Sequence, residues 1–208
     1  MGAHDLLAPH RVGRPAGRAH DGTIATAAVD LMWGTDMTEI VTLAEGRARV
    51  FVAVDHCSGE CVGSHAAVSG NRFEALEPVR QGVLRHFGAL GRSAATGLAL
   101  RHDHGSNYLS RDFQAELRFL GIESSPSFVR EPEGNGVAER FIRTLKENFL
   151  WVQAFETVED LRCGLQDFAA HYNATWLVAR HGYRTPSQVR AEQRRVDPSN
   201  TANLPLAA

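Results

Sequence analysis

The stretch that most constrains this chain runs from Arg130 to Trp151, REPEGNGVAERFIRTLKENFLW. Its first part holds Pro132, Gly134 and Gly136 within five residues, which discourages regular structure and reads as a loop. Asn135 is placed to cap a helix start, because its side-chain oxygen can accept from a free backbone N–H of the first turn. From there Val137, Phe141, Leu145 and Phe149 recur at four-residue steps with Ile142 beside them, which predicts a helix with one apolar face. Glu139, Arg143 and Lys146 stand at i, i+4 and i+7, stacked along a different face. A solvated charged face explains that array, with a Glu–Arg pair contributing roughly 0.2–0.5 kcal/mol. The other explanation is that Glu139 holds a metal ion while the cations hold a polyanion. The rest of the chain has to decide between them.

Ahead of this helix the pattern alternates. Leu31–Ile40 (LMWGTDMTEI) reads as a first strand carrying Asp36, Arg47–Asp55 as a second and Cys61–Val68 as a third. Short turns at Gly46 and at 56–60 make these three an antiparallel meander. Asp55 closes the second strand and reads as a turn former. Ser69–Gly91 predicts a helix, with Phe73, Leu76, Val79, Val83, Leu84 and Phe87 on a 3.6-residue period. Thr96–Asp103 is a fourth strand ending in an acid, Arg111–Leu120 a short helix stopped by Gly121, and Ile122–Ser125 a fifth strand. After the central helix, Thr157 and Asp160 suit the capping box of a helix over 157–172, and Pro186 starts a last helix behind Thr185. The order βββαβαβα predicts an α/β fold: a mixed five-stranded sheet, three strands antiparallel and two further parallel, with helices on both faces. The expected organisation is a lead-in over 1–29, a catalytic core over 30–156, a C-terminal helical extension over 157–196 and a disordered tail over 197–208.

Composition removes several classes. No apolar run is long enough to span a bilayer, and residues 1–22 lack the apolar centre of a signal peptide, so a cytoplasmic protein without a membrane partner is expected. Three cysteines are too few for a four-ligand zinc site, and Cys57, Cys61 and Cys163 read as reduced structural residues. Ser64, Ser106 and Ser110 have no nucleophile-elbow context, which leaves acyl transfer unsupported. The net charge of −2 does not announce a nucleic-acid partner, so basicity has to be local. It is local over 176–195, where Arg180, Arg184, Arg190, Arg194 and Arg195 stand against Glu192.

Asp36, Asp103 and Glu139 have matched settings: within a strand, at a strand end, and in the first turns of a helix. Each has an ordinary structural explanation, as a turn former or a helix-dipole partner. Together, if the first and fourth strands are neighbours, they can meet at one sheet edge, where open α/β sheets favour ligand sites. Three oxygen-only donors suit a hard cation such as Mg²⁺, and a pair of such ions suits in-line displacement at phosphorus. His102 and His104 flank Asp103 but point to the opposite strand face, so they do not join it as ligands. Asn107 and Asn135 read as loop-shaping residues within reach of phosphate, and Trp151 reads as a core aromatic with base stacking as the alternative.

The spacing leaves 35 residues between Asp103 and Glu139. With HDHGSNYLS around the second acid, GNGVAERFIRTLKENF around the third and WGTDMTEI around the first, the chain resembles the Asp-Asp-35-Glu core of retroviral integrases and bacterial insertion-sequence transposases. TWLVARHGYRTPSQV, behind Tyr172 and Asn173, resembles the C-terminal signature of the insertion-sequence branch, the part supplied by the second reading frame. The resemblance implies a ribonuclease-H-like fold and a transposase that cleaves DNA strands at element ends and transfers them. It implies Mg²⁺ or Mn²⁺, two ions when DNA is bound, with Asp36, Asp103 and Glu139 as metal ligands. Arg143 and Lys146 match positions where integrases place basic contacts to a DNA end, and Asn135, Arg180 and Arg184 are further candidates for DNA contact. One departure is Trp176, Leu177 and Val178, where that branch often carries Arg-Pro-His. The expected partners are DNA, an upstream-frame helix-turn-helix protein that reads the element ends, and at least a second copy of the chain. Two rival readings share the same sheet: a catalytically silent DNA-binding remnant, and a nuclease that only hydrolyses.

Overall fold

The computed structural model describes residues 25–127 and 135–196, with side chains described to residue 193. The expected tail over 197–208, most of the lead-in, the loop residues Pro132 and Gly134, and the side chains of Arg194 and Arg195 lie outside the described residues.

Strand β1 (Met32–Thr42) turns at Gly46 into β2 (Gly46–Asp55), paired antiparallel from Trp33↔Asp55 to Thr42↔Gly46. β3 (Cys61–Ala67) pairs antiparallel with β2, with a bulge between Ala53 and Val54. β4 (Ala99–His102) lies on the other side of β1, parallel to it, and β5 (Glu123–Pro126) is parallel to β4. The order is β3-β2-β1-β4-β5, the expected mixed sheet with β1 at its centre.

The alternation of β2 splits the core into two layers, because successive side chains leave a strand on opposite faces. Ala48, Val50, Val52 and Val54 face one way, where α3 (Gly136–Leu145), a π-helical turn (Lys146–Leu150) and α4 (Val158–Thr175) cover them. Phe51 and Ala53 face the other way with Trp33, under α1 (Arg72–Phe87) and α2 (Arg111–Leu120). The expected extension over 157–196 thus packs partly into the same core as the sheet: Val158, Leu161, Leu165, Ala169 and Tyr172 of α4 lie within it. α4 begins with the expected capping box of Thr157 and Asp160, and the Glu45 carboxylate at the β1–β2 turn accepts from Val158 N–H at 2.5 Å. A 3₁₀ turn (Ala179–His181) leads to α5 (Pro186–Val196).

Four sequence expectations change. α1 starts at Arg72, because Asn71 accepts from the Phe73 and Glu74 N–H groups and so fixes the first turn. β4 is shorter than Thr96–Asp103: 96 and 97 end a turn that begins at 92, and Asp103 lies one residue past the strand end. Asn135 makes no side-chain cap; it is buried, and its Nδ2 donates to Thr35 O at 3.1 Å. Trp151 is not a core residue but 69% exposed, since the π-helical turn buries Phe149 and Leu150 instead.

Candidate active site

The sheet register brings the two aspartates together. β1 and β4 are parallel neighbours, paired from Met32↔Ala99 to Gly34↔Arg101. Two residues further along each chain stand Asp36 and Asp103. Asp36 is half-buried and pairs with Val52, so it lies on the face that α3 covers. Asp103 is exposed at the mouth of the following loop, where its Oδ1 accepts from Gly105 N–H at 2.7 Å.

Gly34 sets how closely α3 can approach. A β-carbon there would lie 2.7 Å from Asn135 Oδ1, 2.7 Å from His56 Nε2 and 3.3 Å from Ala138 Cβ. Only a glycine lets the start of α3 rest on β1 at this point. The Asn135 amide, bonded to Thr35 O, fixes the same approach from the helix side. Glu139 follows in the first turn, exposed, on the side chain row next to the buried Ala138.

Electrostatics shows that the three acids share one neighbourhood. Burial pushes the Asp36 carboxyl up to about 6, the negative charges of Asp103 and Glu139 add to the rise, and the Met37 N–H and the Lys146 ammonium oppose it. The Met37 N–H bond to Asp36 Oδ1 is 2.8 Å long. No three His, Cys, Asp or Glu side chains among the described residues already stand in a coordinating cluster. What the residues offer is a set of oxygen donors from three separate elements, repelling one another, around the central β1–β4 pair. Such a set fits a hard divalent cation, which relieves the repulsion and takes carboxylate oxygens together with water and phosphate.

Beneath the acids the packing is tight. His102 is fully buried; its Nδ1 lies 2.6 Å from Asp103 O, its Nε2 lies 2.9 Å from Ser124 Oγ, and its ring stacks on Tyr108 at 5.5 Å. Burial lowers its pKa, so a neutral ring props the Asp103 backbone. Asn107 donates to Gly70 O at 2.6 Å and shapes the loop after Asp103.

The cations divide into two groups. Arg143 is exposed, Lys146 is half-buried, and both follow Glu139 along α3 and into the π-helical turn. Among the described C-terminal arginines expected to form a basic patch over 176–195, Arg190 is buried and does not contribute to it, while Arg180 and Arg184 make intramolecular bonds and stay exposed. Arg180 donates to His56 O at 3.1 Å and to Cys57 O at 3.2 Å. Arg184 is paired with Glu192 and donates to His181 O at 2.8 Å. Arg190 is buried among carboxylates: it pairs with Glu60, bonds Asp30 at 2.6 Å and lies 3.9 Å from Asp55. Asn135 is likewise committed to β1 and is not presented to a DNA strand.

Sequence reading missed this second charged cluster. Asp55 does form the expected turn, accepting from Ser58 N at 2.7 Å and Ser58 Oγ at 2.8 Å, but its Oδ2 also accepts from Asp30 N–H at 2.8 Å. Arg190 sits in a polar helix with no signal to mark it as buried; the acids at 30, 55 and 60 only become one group once β1, β2 and α5 are folded together. All three cysteines are free, Cys57 and Cys61 buried and Cys163 exposed. No described helix is long and apolar enough to cross a membrane.

Comparison with known proteins agrees with this architecture. A family model described as an integrase core domain matches residues 27–132, and a second model of the same description matches 120–186. The putative transposase InsD for insertion element IS2E of Escherichia coli (strain K12) is 30% identical over 176 residues, covering 84% of this chain and 79% of that protein. Transposase InsD for insertion element IS2A/D/F/H/I/K of Escherichia coli is also 30% identical over 176 residues, but this chain spans only 58% of its length. Among solved structures, the catalytic core domain of BIV integrase is similar with a TM-score of 0.58 at 21% identity, over 80% of this chain and 97% of that one. The HTLV-2 integrase catalytic core domain in complex with magnesium is similar with a TM-score of 0.53 at 18% identity, over 76% and 95%.

Proposed function

This chain belongs to the integrase core domain family of insertion-sequence transposases, and from that premise we propose that it is a divalent-metal-dependent polynucleotidyl transferase that cuts and joins DNA strands at the ends of an insertion element. What supports the reading is the placement of the three acids on neighbouring elements, Asp36 and Asp103 on the parallel pair β1 and β4 and Glu139 in the first turn of α3, together with the rise that burial and the charges of Asp103 and Glu139 give to the Asp36 pKa.

In this proposal Asp36, Asp103 and Glu139 hold Mg²⁺ or Mn²⁺, two ions when DNA is bound. The ions would lower the pKa of an attacking oxygen and stabilise the charge on the leaving one. The protein residues do the rest. Gly34 and Asn135 hold the start of α3 against β1, which keeps Glu139 beside Asp36. His102 props the Asp103 backbone from below. Arg143 and Lys146 lie along the helix that leaves the site, where they can take backbone phosphates. The reaction is in-line displacement at phosphorus. Water first attacks the phosphodiester at the element end, losing a proton as the P–O bond to the 3′-oxygen breaks. The freed 3′-hydroxyl then attacks a second phosphodiester, forming one P–O bond and breaking another, so no outside energy source is needed.

A core over 30–156 is proposed to hold the chemistry, with α4 and α5 completing its fold. The sequence-reading partner, a helix-turn-helix protein from an upstream frame, and an active form of at least two copies remain parts of the same proposal.

The test uses supercoiled plasmid for nicking and a labelled duplex with a free 3′-hydroxyl for joining. Wild type with Mg²⁺ or Mn²⁺ is expected to nick and to form joined products, and Asp103→Asn and Glu139→Gln are expected to do neither. Nicking without joining would favour a hydrolytic nuclease. Activity undiminished in both variants would remove these acids from the mechanism.

A further inference from the structure

Trp151 lies where an ordinary helix would not put it. In an uninterrupted α-helix, residue 151 would sit about 140° around the axis from Lys146, at 3.6 residues per turn. Here the chain makes a π-helical turn over Lys146–Leu150, and the Trp151 N–H reaches back five residues to Lys146 O at 2.9 Å. The extra residue in the turn brings Trp151 round to the Lys146 side, with the ammonium 6.0 Å from the centre of the indole ring. The π-turn closes the helix, as such turns commonly do at a helix C-terminus, and leaves Trp151 at the cap position, turned toward Lys146.

The result is an exposed platform beside a cation. Phe149 and Leu150 take the buried positions that anchor the turn. Trp151 is 69% exposed, and the next residue, Val152, is exposed as well. A ring with a neighbouring cation is the pairing by which single-stranded nucleic acid is gripped: charge on the phosphate, ring on the base. Lys146 links this platform to the acids, since it follows Glu139 by two helical turns on the same face.

We infer that Trp151 is a base-stacking residue: its indole takes the face of an unpaired nucleotide of the DNA that enters the active site, while Lys146 holds the adjoining phosphate. The inference rests on the proposed transposase function and names a positioning contact within it. Trp151 follows Glu139 by twelve positions, about 18 Å at the rise of an α-helix. At about 3.4 Å per nucleotide along one strand, the stacked base lies within roughly five nucleotides of the phosphate that is cut.

The test measures binding of the full chain to two fluorescent probes, a short oligothymidylate and a strand of the same length built from abasic residues. Loss of a stacked base typically weakens binding some 5- to 150-fold. Trp151→Ala is expected to bind oligothymidylate about tenfold more weakly and the abasic strand almost as well as wild type. Trp151→Phe, which keeps a ring, is expected to recover most of the loss. Thermal melting of both variants should match wild type, because the ring is exposed. Equal weakening on both probes, or no weakening on oligothymidylate by Trp151→Ala, overturns the stacking role and leaves the transposase reading intact. A change in sedimentation of Trp151→Ala with unchanged DNA affinity also overturns it, by assigning the ring to a contact between copies. Failure of the wild type to bind either probe overturns the stacking role, while the transposase reading stands or falls on nicking and joining.

Discussion

Two groups of three acids in this fold are treated in opposite ways. Asp30, Asp55 and Glu60 close around the guanidinium of Arg190, with the Asp30 and Ser58 N–H groups bonded to Asp55 as well. Burial there raises the pKa of Asp55 and Glu60, while the bond and charge of Arg190 outweigh burial to lower that of Asp30. Among the described residues, Asp36, Asp103 and Glu139 have no such centre. Asp103 and Glu139 are exposed, and the cation that opposes their effect on Asp36 is Lys146. The first group brings its own counter-charge and fastens α5 to the ends of β1 and β2. In the proposed function, the charge of the second group is balanced by the metal ions. Acid clusters become informative about function when one asks what neutralises them, not how many acids they hold.

Neutralising one acid in each group breaks the comparison most sharply. Asp36→Asn is expected to reduce DNA cleavage by at least about a thousandfold, since a lost metal ligand removes several kcal/mol of transition-state stabilisation. It should also raise the melting temperature of the metal-free protein, because the amide removes a repelled charge. Asp55→Asn should do the reverse in both assays, lowering the melting temperature and sparing the chemistry at temperatures where the fold persists. Plasmid nicking and thermal melting on the same two preparations check both halves, and a fall in melting temperature for Asp36→Asn would count against an unbalanced site.

Arg190 is the next test. Removing one partner of a buried ionic cluster commonly costs about 3–5 kcal/mol, because the remaining charges stay buried. Arg190→Met is therefore expected to lower the melting temperature by roughly 10 °C or more in a chain of this size. The loss should shrink at low pH, where Asp55 and Glu60 can take up protons. A melting temperature unchanged at neutral pH would mean that α5 is not fastened by this residue.

The two groups also differ in how far they could be read in advance. The elements that carry Asp36, Asp103 and Glu139 were legible because each acid sits beside punctuation that places it: WGTD in a strand with three threonines, a polar loop after Asp103, Pro and Gly ahead of Glu139. The sheet order followed from the run of strands and helices, since a meander and parallel crossovers leave few topologies. Arg190 was not legible, because nothing in a polar helix distinguishes an arginine that points to solvent from one that reaches a strand end. Asn135 was misread for a related reason: a cap is a local bond, and the bond it makes is to Thr35, a hundred residues away. Trp151 was misread because a period of four was carried through Phe149, where the helix changes to a π turn.

A smaller effect follows from the Asp36 carboxyl itself. Its pKa of about 6 in the folded chain lies above the ordinary 3.8, so its contribution to stability is fully present below pH 4 and is lost as pH rises through 6. A shift of this size corresponds to at most about 3 kcal/mol in the metal-free protein. Added Mg²⁺ should stabilise the fold little at pH 5 and more at pH 7, because the ion competes with the proton for the same oxygens. Melting curves with and without Mg²⁺ across that range check the sign. The buried group should show no such dependence on Mg²⁺, and Asp36→Asn should remove it.

The smallest expected effect comes from a residue that carries no charge at all. A β-carbon at Gly34 would lie 2.7 Å from both Asn135 Oδ1 and His56 Nε2. Gly34→Ala must therefore push the start of α3 off β1 or turn the Asn135 amide away from Thr35 O. Overpacking of this kind commonly costs about 1–3 kcal/mol. The movement is small, but it falls between Asp36 and Glu139, whose separation the helix start sets. DNA cleavage should consequently fall more than stability does, and raising the Mn²⁺ or Mg²⁺ concentration should recover part of it, because the acids are all present and only displaced. The cluster around Arg190 offers the control: an enlargement there should cost stability without any response to the ion. If Gly34→Ala keeps wild-type cleavage at low Mg²⁺, the closeness of α3 to β1 is a matter of packing alone, and the placement of Glu139 owes nothing to it.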